Sequence, residues 1–246
     1  MDIFNIWNKL NLRSSKIVWV ILFFLVISQG YSQKNKINNR TKNLPNYDDR
    51  TFHYGFTIGI NSASYNVNPS DFYLKNNDSI LGINSINSLG FTLGFIVNFH
   101  ISDNFDLRLL PNVGFYNRNI EYKFPTRGKI IQEIESNVIE LPLLLKYKSR
   151  RQGNFRAYVI GGVKPGVEVA SNKKLSNGKE NLRVQDIDLV LEYGFGIDVY
   201  NPMFKFSPEI RFAHGIPNML IKDPNIFSKT LDRVSTHTVT LYFHFE

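Results

Sequence analysis

The chain has 246 residues, with 29 Lys and Arg against 21 Asp and Glu for a net charge of +8, and it carries 20 Phe, 12 Tyr, 2 Trp and no Cys. The lack of Cys excludes a disulfide scaffold, a thiolate zinc site, a Cys nucleophile and a lipid-modified N-terminal Cys, and a hydrophobic fraction of 43% argues against a disordered chain. A mean hydropathy of −0.20 with one long apolar run excludes a helical membrane bundle, but not a membrane barrel, in which only every second strand residue faces lipid.

The first element is an expected export signal. Lys9, Arg13 and Lys16 make a basic region, Ile17 to Ile27 is an unbroken apolar run, and Gly30 and Ser32 are small residues two apart. This pattern places cleavage before Gln33. Eleven helical residues span about 17 Å, short of the roughly 30 Å of a hydrocarbon core, so the run is a signal peptide over 1–32 rather than an anchor. It holds three basic residues and one acidic residue, which leaves the mature chain at +6. Residues 33–51 are Asn- and Lys-rich with no hydrophobic period, and read as a flexible periplasmic leader. Lys34, Lys36, Arg40 and Lys42 suit a solvated tail or acidic headgroups better than nucleic acid, which is not expected as a partner.

From Phe52 onward the hydrophobic period is two. Eight segments show it: about 52–62, 88–100, 104–123, 131–148, 154–169, 185–200, 203–214 and 235–246. The sixth is the clearest. Ile187, Leu189, Leu191, Tyr193, Phe195, Ile197 and Val199 fall on one face, and Asp186, Asp188, Val190, Glu192, Gly194, Gly196 and Asp198 on the other. Connections alternate in length. Tight turns at 102–103, 149–153 and 201–202 alternate with longer polar stretches at 64–87, 124–130, 173–184 and 215–234. That alternation predicts an all-β protein: an eight-stranded antiparallel up-and-down barrel over 52–246 with one plain and one decorated rim.

The next question is which face is inside. Eight strands enclose a lumen barely wide enough for side chains, and the bulky apolar faces would overfill it. The opposite faces carry Gly at 55, 59, 90, 94, 114, 162, 194 and 196, together with Thr and charge. So the aromatics face lipid and the barrel is expected to be transmembrane, in contrast to a soluble lipocalin-like barrel. Asp106, Arg108, Glu140, Lys146, Arg156, Lys164, Glu168, Asp186, Asp188, Glu192, Asp198, Lys205, Glu209, Arg211 and Glu246 then point inward, and are expected to form paired networks with Tyr116, Tyr158 and Thr hydroxyls. A lumen so filled argues against a diffusion porin. The last segment, Thr238 to Glu246, alternates to an aromatic followed by one residue, and resembles the tag read by barrel-assembly machinery.

Chemistry is sparse. The five His residues, His53, His100, His214, His237 and His244, show no zincin spacing, and Gly161 to Gly166 lacks the ending of a phosphate loop. A lipid hydrolase or acyltransferase would need Ser, His and acid at one height. His214 with Asp186 or Asp188 is the only candidate pairing, and it has no Ser fixed beside it. No catalytic, cofactor-binding or metal residues are assigned.

Several strings carry a family resemblance. They are Tyr47-Asp48-Asp49-Arg50 with Phe52 to Phe56, Ile134 to Tyr147, Asn154 to Pro165, Lys205 to Ile210, and Phe243 to Glu246. From about residue 47 to the end, the chain resembles the PorT (SprT-like) outer-membrane barrels of Bacteroidota. The resemblance implies a component of the type IX secretion system, in some members also serving gliding motility. It implies no catalytic residue, metal or cofactor. Its expected partners are outer-membrane lipid and other secretion proteins, with the leader and C-terminus periplasmic. A small-solute channel, an adhesin and a lipid-modifying enzyme are the alternatives.

Overall fold

The computed structural model describes residues 42–75, 80–125, 128–170 and 182–246. The expected signal peptide, 1–32, and the first part of the leader, 33–41, lie outside the described residues. From Phe52 the backbone forms β1 (Phe52–Pro69), the short helix α1 (Asp71–Lys75), β2 (Gly82–Ile86), β3 (Ser88–His100), β4 (Phe105–Leu109), β5 (Asn112–Phe124), β6 (Gly128–Glu140) and β7 (Leu143–Lys148). Then follow β8 (Phe155–Ala170), β9 (Ile187–Tyr200), β10 (Lys205–Gly215), the short helix α2 (Ile226–Lys229) and β11 (Leu231–Phe245).

Two of the expected long strands are each split at a proline. Pro111 separates β4 from β5, and Pro142 separates β6 from β7. Proline has no N–H to give to a ladder, so regular pairing breaks there. The sheet nonetheless continues across both gaps. Phe95 N donates to Pro111 O at 2.9 Å, and Leu110 N donates to Pro142 O at 3.1 Å. Counted as one strand each, β4/β5 and β6/β7 join β3, β8, β9, β10, β11 and β1 in a closed antiparallel ring of eight.

Side-chain exposure follows the inside-out rule. On β9, Phe195 is 54% exposed, whereas Glu192 and Asp198 are 2% and 1% exposed. Rings pair across strands on the outer face: Phe56 with Phe245 at 4.9 Å, Phe91 with Phe115 at 4.5 Å, and Phe105 with Tyr147 at 5.1 Å between centroids. So large an outward apolar band is stable only against lipid tails.

The narrow lumen makes several glycines obligatory. Tyr158 on β8 lies directly opposite Gly196 on β9. A Cβ at Gly196 would sit 2.5 Å from the Tyr158 ring. The glycine leaves room for a phenol to lie flat across the neighbouring strand and reach Glu209 at 2.8 Å. Gly196→Val is therefore expected to lower stability by about 1–3 kcal/mol through overpacking. Gly161→Ala is the control, because its Cβ would meet only an ordinary contact at 3.7 Å. Guanidinium unfolding midpoints of the two variants in micelles check this.

Towards the decorated rim the strands run further than the sequence period suggests. β1 reaches Pro69 rather than residue 62, and β11 begins at Leu231 rather than 235. The two pair from Phe56↔Phe245 up to Pro69↔Leu231. Along this extension the polarity of the two faces reverses. The outer face turns polar at Ser62 on β1, Asn117 on β5, Asn137 on β6, His214 on β10 and His237 on β11. The inner face turns apolar. Tyr65, Ile120, Tyr122, Ile134 and Val234 pack there with Leu182, Val184, Met219, Leu220 and Leu231. On β8 and β9 the outer face stays apolar to the strand ends. The reversal is what water demands of a barrel that has left the bilayer, with polar groups outside and an apolar core inside.

The connection over 215–234 supplies much of that core. Val184 bridges to Leu220, and Phe227 of α2 packs edge-on against Tyr122 at 4.9 Å. Asn225 caps α2 by accepting from Ser228 N at 2.7 Å. The expected long polar loop is thus largely a folded cap. Among the described residues no helix is long and apolar enough to cross a membrane; the crossing elements are strands.

Candidate functional site

The lumen is the place where this chain concentrates chemistry, and three layers fill it. The middle layer is ionic. Lys164 bridges Glu140 at 2.9 Å and Glu192 at 3.0 Å. Arg211 donates from Nη1 to Glu192 at 3.1 Å and from Nε to Glu209 at 2.8 Å. Tyr116 Oη donates to Glu140 at 2.8 Å. Nearer the plain rim, Lys146 Nζ lies 2.8 Å from both Asp198 oxygens, and Ser207 donates to Asp198 at 2.7 Å. Arg108 and Lys205 hold Glu246 at 2.7 and 2.8 Å. Most of these pairs join neighbouring strands, whereas Lys146–Asp198 and Arg108–Glu246 link strands that are not paired with each other.

Strand parity in the sequence identified most of this set. It left out Arg118, Lys148 and His244, although all three share the parity of inward neighbours. Arg118 lies over the Tyr116 and Tyr65 rings at 4.5 and 5.4 Å. Lys148 donates to Asp106 at 2.6 Å, and His100 Nδ1 sits 3.0 Å from the same carboxylate. His244 is fully buried with Nε2 3.4 Å from Glu209.

The second layer closes the plain rim. Residues 42–51, the latter part of the segment expected to be a flexible leader, fold across the barrel mouth. Asn43 N donates to Asn154 Oδ1 at 2.9 Å, and Asn43 Nδ2 donates to Tyr200 O at 3.0 Å. Asp48 accepts from Arg156 at 3.0 Å. Tyr47 enters the mouth, stacks on His53 at 4.1 Å, and donates to Glu246 at 3.1 Å. Burial, and then the Glu246 carboxylate, push the Tyr47 phenol far above its ordinary range, so it serves as a neutral donor.

The third layer is the apolar cap. Below it lies a cavity of about 30 Å³ lined by Arg118, Glu140, Lys164, Glu168, Asp186 and Asp188. That volume holds a water or two. Beside the cap, Arg183 clamps Asp223 with Nε 2.7 Å from Oδ2, and this guanidinium holds the Asp223 carboxyl below the usual range.

The catalytic pairing considered from sequence is not assembled. His214 stands on the outer wall, with Tyr193 Oη 3.1 Å from its Nε2. Asp188 faces the lumen and accepts from Thr236 at 2.6 Å, and Asp186 lines the inner cavity. Among the described residues no group of three or more His, Asp or Glu is placed to hold a metal ion.

Comparisons with known proteins bear on the architecture. The family described as "Outer membrane protein beta-barrel domain" matches residues 29–220. Similar solved structures include OprG of Pseudomonas aeruginosa, at 16% identity and a TM-score of 0.44 over 78% of this chain and 91% of that one. Neisserial surface protein A is similar at 12% identity and a TM-score of 0.42 over 79% and 98%. Ail of Yersinia pestis is similar at 13% identity and a TM-score of 0.34 over 80% and 99%. A comparison with curated proteins found no match.

Proposed function

We propose a function from one premise: the chain belongs to the outer membrane protein beta-barrel domain family. It is a β-barrel of the bacterial outer membrane, and we read it as a non-enzymatic accessory of protein secretion. The observation that carries this reading is the sealed lumen. Ion pairs fill its middle, the 42–51 segment lies across one mouth, and an apolar cluster fills the other. Among the described residues these groups occupy the lumen from mouth to mouth, which argues against an aqueous path for solutes and favours the anchored surfaces as the working parts.

The finer assignment is to the PorT-like barrels of type IX secretion, with a role in gliding motility in some members. It rests on the strings Ile134 to Tyr147 and Asn154 to Pro165. In this reading the plain rim, with the segment before Phe52 and the C-terminus, faces the periplasm, where the other secretion proteins can be met. The decorated rim faces outward.

Two measurements test the proposal. The purified barrel is expected to be silent in planar bilayers; steady conductance would favour the small-solute channel. Gentle solubilisation is expected to co-purify secretion components, and deletion of the gene is expected to block cargo export. Normal export without the protein would reject the secretion role.

A further inference from the structure

We infer that His214 and His237 form a binding site for a divalent transition-metal ion on the outer wall of the barrel, at the level where its outer face turns from apolar to polar. The two residues are direct cross-strand partners on β10 and β11. Both side chains point outward, and their Nδ1 atoms are 3.1 Å apart. Imidazole nitrogens bind zinc at about 2.0–2.1 Å. Two such nitrogens 3.1 Å apart subtend about 100° at a shared ion, between the octahedral and tetrahedral angles. The nitrogen spacing therefore matches the bite of a chelate on a ring pair carried by the β-ladder, where the two Nδ1 atoms share a hydrogen bond that an ion would replace.

A supporting contact orients the His214 ring and is compatible with the tautomer that coordination needs. Tyr193 Oη lies 3.1 Å from His214 Nε2, and the two rings stack with centroids 5.7 Å apart. In the Nε2–H tautomer, which donates to the phenol oxygen, His214 Nδ1 is an acceptor, and an incoming ion takes the place of the proton it shares with His237 Nδ1. Ligating histidines are commonly oriented through their second nitrogen in this way.

The surroundings leave room for the rest of a coordination shell. An open groove of about 660 Å³ flanks the pair, lined by Ser64, Asn66, Asn68, Ser235 and Arg233. Water and these neutral oxygens can complete the sphere. Arg233 lies four residues from His237, about 13 Å along the strand, and its guanidinium donates to Ile216 O at 2.7 Å.

The other three histidines are engaged differently. His53 Nε2 contacts Tyr47 O at 2.6 Å, His100 contacts Asp106, and His244 lies buried beside Glu209. All five lie among the described residues, and only these two face each other. Two imidazoles without thiolate or carboxylate favour Cu²⁺, with Ni²⁺ and Zn²⁺ weaker, and are poor ligands for Mg²⁺ or Ca²⁺.

The test uses tag-free, EDTA-treated protein in detergent, titrated calorimetrically with CuCl₂, ZnCl₂ and MgCl₂. One ion per chain is expected for copper and zinc, and none for magnesium. His237→Ala and His214→Ala are each expected to abolish binding, and Tyr193→Phe to weaken it about tenfold. His100→Ala is expected to bind as the parent does. Retention of the heat-shifted electrophoretic band shows that each variant is folded, and Tyr193→Phe keeps the test open if a His variant is not. Absence of binding in the parent, or unchanged binding in folded His237→Ala, overturns the inference.

Discussion

Replacing Arg211 by Met is expected to lower the stability of the barrel by about 3 kcal/mol or more, read as a lower guanidinium midpoint in micelles with an unchanged slope. Arg211 sits 1% exposed on the inner face of β10. It donates to Glu209 from Nε and Nη2, and to Glu192 from Nη1. Met fills a similar volume but supplies no charge, so two carboxylates lose their shared counter-ion deep in the lumen. The loss is softened because each keeps another partner: Glu192 keeps Lys164 at 3.0 Å, and Glu209 keeps the Tyr158 hydroxyl at 2.8 Å. The penalty is that of two buried carboxylates left short of positive charge, with Arg108 Nη1 at 3.8 Å the nearest other guanidinium to Glu209. Adding Glu209→Gln to Arg211→Met should therefore recover part of the stability, since a neutral amide needs no counter-ion. An unchanged midpoint for Arg211→Met would show that the lumen is wetter than these contacts imply.

Phe195→Arg is the second large effect. Phe195 points out from the middle of β9, within an unbroken outward row from Ile187 to Val199. A guanidinium there must enter hydrocarbon, at about 2–4 kcal/mol. Asn66→Arg places the same guanidinium on the outer face of β1, beyond the polarity reversal, and is expected to cost about 0–1 kcal/mol. The contrast between the two sites is the informative quantity. Measured in bilayers or micelles, equal tolerance at both would contradict a lipid-facing wall at Phe195.

Much of this architecture was legible in the sequence, because a barrel strand writes its two environments on alternate residues. The row Ile187 to Val199 opposite Asp188, Glu192 and Asp198 was enough to turn the barrel inside out. The alternating loop lengths gave the closure. What escaped has identifiable causes. Pro111 and Pro142 sit inside correct alternation, so the period continued where the hydrogen bonding did not. Residues 64–69 also keep the period, but with polar side chains outside, so the apolar alternation ends at Ser62 while the strand continues. The segment 42–51 has no period at all. Its order comes from Asn43, Tyr47 and Asp48 meeting Asn154, Glu246 and Arg156, each more than 100 residues away. The facing pair His214 and His237 is invisible to helical spacing rules, since it depends on the register of β10 against β11.

The point at which Ser62, Asn117, Asn137 and His237 replace aromatics on the outer wall has a mechanical consequence. It works as a waterline. Sinking the barrel by one residue pair would drag the carboxylates of Glu133 and Glu135 towards acyl chains, and raising it would strip the row of Ile60, Phe91 and Phe115 of its cover. On that side the wall is thus trimmed to one draught, while the β8 and β9 side, apolar to its strand ends, can sit deeper in the lipid.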